Sequence, residues 1–283
     1  MSDPHLVAQV PQREAGAGAG LRTVFTEGAH DPHQITVDAV EMRYGSKKGG
    51  VVALETTSLT VARSSFTSIV GPSGCGKSTL LKVIAGLVTP TAGSVSVAGR
   101  PAHPGNRDIG IMFQSPVLLP WRSVLDNVLL PLDATKSRTD ADVRRARELL
   151  EEVRLSAFER LRPAQLSGGM QQRVALCRAL ISQPKVLLFD EPFGAVDALT
   201  REQLNDLVME ICATNSTTAV LVTHDIDEAV YMGDEVVVMS AHPGRVVEQV
   251  EVPLPRPRDY SVRLTPEFTE CASRVHRRLR EHS

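Results

Sequence analysis

The chain has 283 residues, 42% of them hydrophobic and 23% charged, with a formal net charge of −2. That length builds one large domain or two small ones with ample core, and the balance lacks the basic excess with which phosphate-backbone binding usually shows, which argues against nucleic acid as the main partner. No apolar run approaches the roughly 20 residues that cross a bilayer, which leaves any membrane role to a partner.

The first residues (Met1-Ser-Asp-Pro-His5) lack the basic-then-apolar pattern of a secretory leader. Four scattered cysteines, Cys75, Cys177, Cys212 and Cys271, form no CxxC pair. They fit reduced thiols better than a disulfide frame or zinc site. Residues 1 to about 33, rich in Ala, Gly, Pro and His, are expected to be a mobile extension, with His30 and His33 solvated rather than a metal pair. Order begins near Ile35, where Ile35 to Val40 alternates as a half-buried strand does. Tyr44 and a Gly-rich turn (Gly45 to Gly50) follow, then two short strands, Val51–Leu54 and Ser58–Val61. Tyr44 is placed either to stack on a base or to anchor its turn.

A β-branched run, Phe66 to Val70, then enters Gly71-Pro72-Ser73-Gly74-Cys75-Gly76-Lys77-Ser78-Thr79, and an apolar helical stretch follows from Leu80. Strand, glycine-rich turn and helix start in that order make an anion cradle, because glycines let successive N–H groups converge on phosphate oxygens. The partial positive charge at the helix N-terminus adds to the attraction. In this motif Lys77 reaches the β- and γ-phosphates and the Ser78 hydroxyl ligates Mg²⁺. The Cys75 thiol, beside Lys77 at a helix start, is expected to favour its thiolate, the alternative being simply a small residue that fits.

Further on, Pro90 to Gly93 is a turn, Ser94–Val97 a strand, and Ile109–Phe113 a buried strand ending at Gln114. Ser115 to Trp121 is apolar and proline-broken, suited to loop core or to a patch for a partner. From Val124 to about Arg160 the pattern is helical, with Thr139 and Asp142 as a cap and Val143, Ala146, Leu149, Leu150 and Val153 on one face. Leu166 to Arg173, with Met170 and Gln171 within it, runs into a helix striped by Val174, Cys177, Leu180 and Ile181; Ser167, Gly168 and Gly169 precede that helix, a second anion-ready helix start. Val186–Phe189 is fully apolar, as in a buried parallel sheet, and ends in Asp190 and Glu191. Asp197 stands before another helix, and Thr218–Thr223 is a further buried strand ending at His224. The alternation of strands and helices predicts an α/β fold with an open parallel sheet. Gln114, Asp190, Glu191 and His224 all follow strand C-terminal ends, where such sheets bind ligands. Strands at 236–239 and 246–252 precede a proline-rich stretch. A helix opened by Thr265-Pro266 follows, with stripe Phe268, Ala272, Val275 and Leu279 and arginines 274, 277, 278 and 280 on its other side. Docking on its own domain is its expected use.

Taken in order, these motifs resemble those of the nucleotide-binding subunits of ABC transporters, over about Ile35 to Glu251. Tyr44 resembles the aromatic loop, Gly71–Thr79 Walker A, Gln114 the Q-loop, Leu166 to Gln171 the signature, and Val186–Asp190 with Glu191 Walker B. Ala195–Asp197 resembles the D-loop and His224 the switch histidine. The family's signature usually has Gln where Met170 stands. Leu118–Trp121, Asp126–Val128, Glu191–Ala195 and Val237–Arg245 are similar to the nitrate, sulfonate and taurine importer branch.

The resemblance implies a P-loop NTPase cassette over 34–252, with a parallel-sheet core, an N-terminal antiparallel β subdomain and a helical subdomain at about 115–172. An extension (1–33) and a linker with basic helix (253–283) lie outside it. It implies ATP and Mg²⁺ as ligands, the ion held through Ser78, Gln114 and Asp190. Glu191 would take the proton of the attacking water, Gln114 would touch that water and His224 would bridge γ-phosphate and base. Two copies would sandwich two ATP molecules, with Ser167 to Gln171 and Asp197 acting in trans. The implied partners are transmembrane permease subunits and, indirectly, an extracytoplasmic solute-binding protein, with the chain at the cytoplasmic face of the membrane. A small anionic solute such as nitrate, an aliphatic sulfonate, taurine or bicarbonate is expected. The alternative is a non-transport relative acting on DNA or ribosomes, which would carry a long coiled coil or a second cassette.

Overall fold

A computed structural model describes residues 33–45, 50–134 and 138–282. The expected extension, apart from His33, and most of the Gly45–Gly50 turn lie outside them. Two sheets carry the fold. The first is antiparallel, in the order β2-β1-β4-β5, from β1 (His33–Tyr44), β2 (Val51–Ala62), β4 (Ala92–Val97) and β5 (Arg100–Pro101). The second has the order β10-β9-β3-β8-β7-β6, from β3 (Phe66–Val70), β6 (Ile109–Met112), β7 (Val186–Asp190), β8 (Thr218–Val222), β9 (Glu235–Met239) and β10 (Val246–Glu251). β3, β6, β7, β8 and β9 run parallel, and β10 closes the edge antiparallel to β9.

The central strands read as unbroken apolar runs because both of their faces are covered. With the side-chain period of two, Leu187, Phe189 and Leu221 enter one core, shared with the helices. Val186, Leu188 and Val220 enter another, shared with the antiparallel sheet and α1 (Lys77–Ile84). The helical side holds α2 (Val124–Val128), α3 (Leu130–Asp133), α4 (Asp140–Glu152), α5 (Gly168–Leu180), α6 (Ala198–Thr214) and α7 (Ile226–Met232). Thr139 and Asp142 form a reciprocal capping box on α4, and Ala146, Leu149 and Leu150 are buried. No helix among the described residues is long and apolar enough to cross a membrane.

One strand departs from the sequence expectation. Val51–Leu54 and Ser58–Val61 are a single strand, β2, that runs straight through Glu55 and Thr56. The break in alternation is absorbed by register shifts against β1 between Val37 and Met42, where Ala39 takes φ 46°. The C-terminal helix α8 (Pro266–Glu281), capped by Thr265, buries Phe268, Cys271, Ala272 and Val275 and packs against α7, β9 and β10. Its apolar stripe is therefore spent on its own domain. The segment before it is anchored by Arg258, whose side chain is fully buried and donates to the carbonyls of Val230, Tyr231, Gly233, Val252 and Leu254.

Candidate functional site

β3 delivers the chain to the Gly71–Thr79 loop at the C-terminal edge of the parallel sheet. α1 starts at Lys77 behind Gly76, which sits at φ 103° in the left-handed region and provides no side-chain cap. The first-turn N–H groups of such a helix have no intrahelical partner, so this start presents bare donors and the positive end of the helix dipole. The Lys77 ammonium lies against the same loop, donating to the carbonyls of Gly71 (2.8 Å) and Pro72 (3.0 Å). Ser78 Oγ donates to Asp190 Oδ1 at 2.7 Å, which joins the loop to the end of β7.

Past Asp190, Glu191 is held at φ 46°, an uncommon conformation for a residue with a Cβ. Its N–H donates to the Val222 carbonyl of the neighbouring strand, and its Oε2 lies 3.3 Å from Nδ1 of His224, just past the end of β8. Strain of this kind persists where the surroundings over-determine a residue, and it clusters at functional sites. Gln114 follows β6. Its carbonyl accepts from Gln172 Nε2 on α5 (3.0 Å), and its amide faces the Gly194 backbone. The Gly71–Thr79 loop, Asp190, Glu191, His224 and Gln114 thus gather at one edge of the sheet. Tyr44 ends β1, and its side chain is exposed.

Ser167, Gly168, Gly169, Met170 and Asp197 line a second cleft, about 440 Å³, to which no residue of the phosphate loop contributes. Ser167 caps α5 by accepting from Met170 N, and Asp197 caps α6 by accepting from Thr200 N at 3.0 Å. That bond holds the Asp197 carboxyl below its usual range. Met170 packs partly buried against the helical core, and Gln171 donates to the carbonyls of Pro163 and Leu166.

The Cys75 expectation is corrected. Its side chain is fully buried in the core beneath the loop, and burial pushes the thiol up, with Lys77 opposing more weakly. Spacing placed the thiol near an ammonium but carried no information on which side of the loop the sulfur takes.

Three supporting residues escaped the sequence reading. Arg178 on α5 donates to the carbonyls of Val117 (2.7 Å) and Pro116 (2.6 Å), gripping the segment after Gln114. Asn127, fully buried, bonds both ways with Leu119 and donates to the carbonyls of Arg122 and Ser123. Glu228 looks like the third residue of a cap begun by Asp225, yet its buried carboxyl accepts from Asn205 on α6 and from Thr223, next to His224. Only the acid at cap spacing hinted at it. The segment that Arg178 and Asn127 hold presents Val117 and Trp121, 58% and 68% exposed. Beside it lies an apolar groove of about 440 Å³ lined by Ile111, Phe113, Val117, Leu119, Leu130 and Pro131, among others.

The donor set at the loop fits a nucleoside triphosphate with a hard divalent cation. A hydroxyl and a carboxylate oxygen stand together at Ser78 and Asp190, and no group of three His, Cys, Asp or Glu able to hold a metal ion occurs among the described residues. Mg²⁺ is bound in this way, by one or two protein oxygens with phosphate and water completing the shell.

Comparison with known proteins agrees with this geometry. A family model described as ABC transporter matches residues 54–194. The aliphatic sulfonates import ATP-binding protein SsuB of Bacillus subtilis is 42% identical over 241 residues, 85% of this chain and 92% of that one. The corresponding SsuB 2 of Burkholderia cenocepacia is 46% identical over 211 residues, 75% and 77% of the two chains. Among solved structures, the dimeric post-hydrolysis ATP-binding cassette MJ0796 bound to ADP and Pi superposes with a TM-score of 0.69 at 32% identity, covering 78% of this chain and all of that one.

Proposed function

The chain belongs to the ABC transporter ATP-binding family and is an ATPase of that family; from that premise we propose that it energises uptake of a small anionic solute, an aliphatic sulfonate in the first instance. The relatives named for sulfonate import support the solute class. The observation that carries the catalytic reading is the pairing of Ser78 with Asp190 and of Glu191 with His224 at one sheet edge.

In this reading the triphosphate sits on the N–H groups of Gly74 to Thr79 with Lys77 as counter-charge. Ser78, Asp190 and Gln114 would hold Mg²⁺, which would supply positive charge against the phosphate groups. Glu191 takes a proton from the attacking water, a contribution of roughly 10²–10⁴-fold. His224 orients that carboxylate and reaches the γ-phosphate. The cleft at Ser167–Gln171 and Asp197 belongs to the opposing copy's nucleotide, so two chains close head to tail over two ATP molecules. The dimeric cassette structures support that arrangement. Nucleotide drives closure because it binds the paired state better than the separated one.

The apolar groove beside Val117 and Trp121 receives the permease, which holds the chain at the cytoplasmic face of the membrane. A solute-binding protein delivers cargo on the other side. Residues 34–252 form the cassette, with 115–172 as its helical part. Deleting the gene in its host and following uptake of a labelled alkanesulfonate, with regain on returning the wild-type gene but not the Glu191→Gln form, tests the assignment. Unchanged uptake would overturn the solute, and absent ATP hydrolysis by the purified chain would overturn the site.

A further inference from the structure

The floor beneath the phosphate loop comes from a segment outside every motif of nucleotide chemistry. β9 ends at Met239, and residues 240–245 turn the chain back into β10. The turn is closed from within. Ser240 N donates to the Arg245 carbonyl (3.0 Å), while Ser240 Oγ accepts from Arg245 N (3.1 Å) and donates to the Ala241 carbonyl (3.1 Å). Gly244 is tied to β2 on both sides, its carbonyl accepting from Glu55 N (2.9 Å) and its N–H donating to the Ala53 carbonyl (3.4 Å).

This seats Gly244 directly on the Cys75 peptide. A Cβ at Gly244 would fall 1.6 Å from the Cys75 carbonyl oxygen and 2.8 Å from its carbon. Gly244 does not adopt a positive φ, so contact distance alone requires glycine here. The start of the loop rests on the same segment, since a Cβ at Gly71 would meet Met239 Cβ and O at 3.1 Å.

The Cys75–Gly76 peptide is planar and trans, so a carbonyl fixed against Gly244 aims the Gly76 N–H to the opposite side of the loop. From β2, the Ala53 carbonyl and Leu54 press on Gly76 itself, 2.6 and 2.8 Å from where its Cβ would be. The peptide is clamped between β2 and the turn. An anion cradle gains affinity when its donors are aimed before the ligand arrives.

We propose that the 240–245 turn is a positioning element for nucleotide: Gly244 sets the Cys75–Gly76 peptide plane and thereby the affinity for the triphosphate. The proposal rests on Gly71–Thr79 being the nucleotide site.

The test is a Mg-ATP titration of the full chain, reading KM, kcat and direct binding. Gly244→Ala is expected to raise KM and Kd by about tenfold or more, the loss of one well-aimed donor to an anion, with kcat at saturation within about threefold. Gly233→Ala is the control. Its Cβ would also be crowded by backbone oxygens, 2.7 Å from Ala229 O and 2.8 Å from Glu235 O, though less severely than at Gly244, and away from the loop, so stability falls and KM stays. Ser240→Ala, which opens the turn without crowding it, is expected to raise KM severalfold, with Ser240→Thr restoring it; this pair decides the matter if Gly244→Ala does not fold. Lys77→Ala in the same assay separates the premise, because normal ATP binding by that variant would remove the nucleotide-site reading itself. Folded Gly244→Ala with KM within about twofold of wild type, Ser240→Ala with unchanged KM, or an equal rise in Gly233→Ala would overturn the proposal.

Discussion

His224 Nδ1 stands 3.3 Å from Glu191 Oε2, so one contact links the residues that leave two adjacent parallel strands, β8 and β7. Glu191 is also held by its own N–H, which donates to the Val222 carbonyl. Its carboxylate is placed by backbone and partner together, not by free rotation at an exposed strand end. Glu191→Gln keeps the shape and the contact but cannot accept a proton. Nucleotide binding is expected to persist while phosphate release falls by about 10²–10⁴-fold, and light scattering with Mg-ATP should show the paired form accumulating. Turnover within about twofold of wild type would remove Glu191 from its role.

The backbone at Glu191 gives a second, opposite expectation. At φ 46° a side chain costs about 1–2 kcal/mol that glycine avoids. Glu191→Gly should melt at or above the wild-type temperature while losing turnover. A clear fall in melting temperature would mean that the contact with His224 outweighs the strain.

Cys75 lies in the middle of the Gly71–Thr79 loop, which we propose holds nucleotide, and is nonetheless expected to be inert. Burial disfavours the thiolate there more than Lys77 favours it. Iodoacetamide at neutral pH should leave ATPase activity unchanged over a time that labels an exposed thiol fully. Rapid inactivation with protection by ATP would show that the loop opens to expose the sulfur.

Glu235, at the start of β9, provides a pH dependence with a definite sign. Burial pushes its carboxyl above the ordinary 4.5, Glu251 repels it further, and the hydrogen bond from Gln249 opposes only in part. A raised carboxyl binds its proton more tightly folded than unfolded, so it costs nothing below pH 4.5. Its penalty grows as pH rises through the folded value. Glu235→Gln should raise the melting temperature at pH 8 and make no difference at pH 4. A gain independent of pH would assign the effect to packing.

Trp121 and Val117 stand out in water beside an apolar groove, an arrangement that suits a partner surface. Trp121→Glu should leave hydrolysis by the isolated chain intact and release the tagged chain from the membrane fraction of its host. Retention in that fraction would place the docking surface elsewhere.

Much of this was legible in the sequence for one reason: a residue whose role is local writes that role into its neighbours. The Gly71–Thr79 loop, the Thr139 box and the Ser167 cap are contacts over three to six positions, so spacing discloses them. The buried strands disclosed themselves through composition. Contacts across long separations left no such trace. Arg178 holds carbonyls about sixty positions away, and the Gly244 contact joins the turn after β9 to a loop near residue 75. The side taken by the Cys75 sulfur and the continuity of β2 through Glu55 are likewise decided by what lies opposite, which a linear pattern does not record.

Arg258 brings its planar fork of donors to five carbonyls where α7 ends and β10 leaves the sheet. An ammonium at that position has three donors on a single point and would strand the rest. The stretch leading to α8 is thereby riveted rather than hinged. The outward-turned arginines at 277 and 280 thus stand on a helix seated against α7, β9 and β10, a charged rim built into the body of the domain and not a trailing cord.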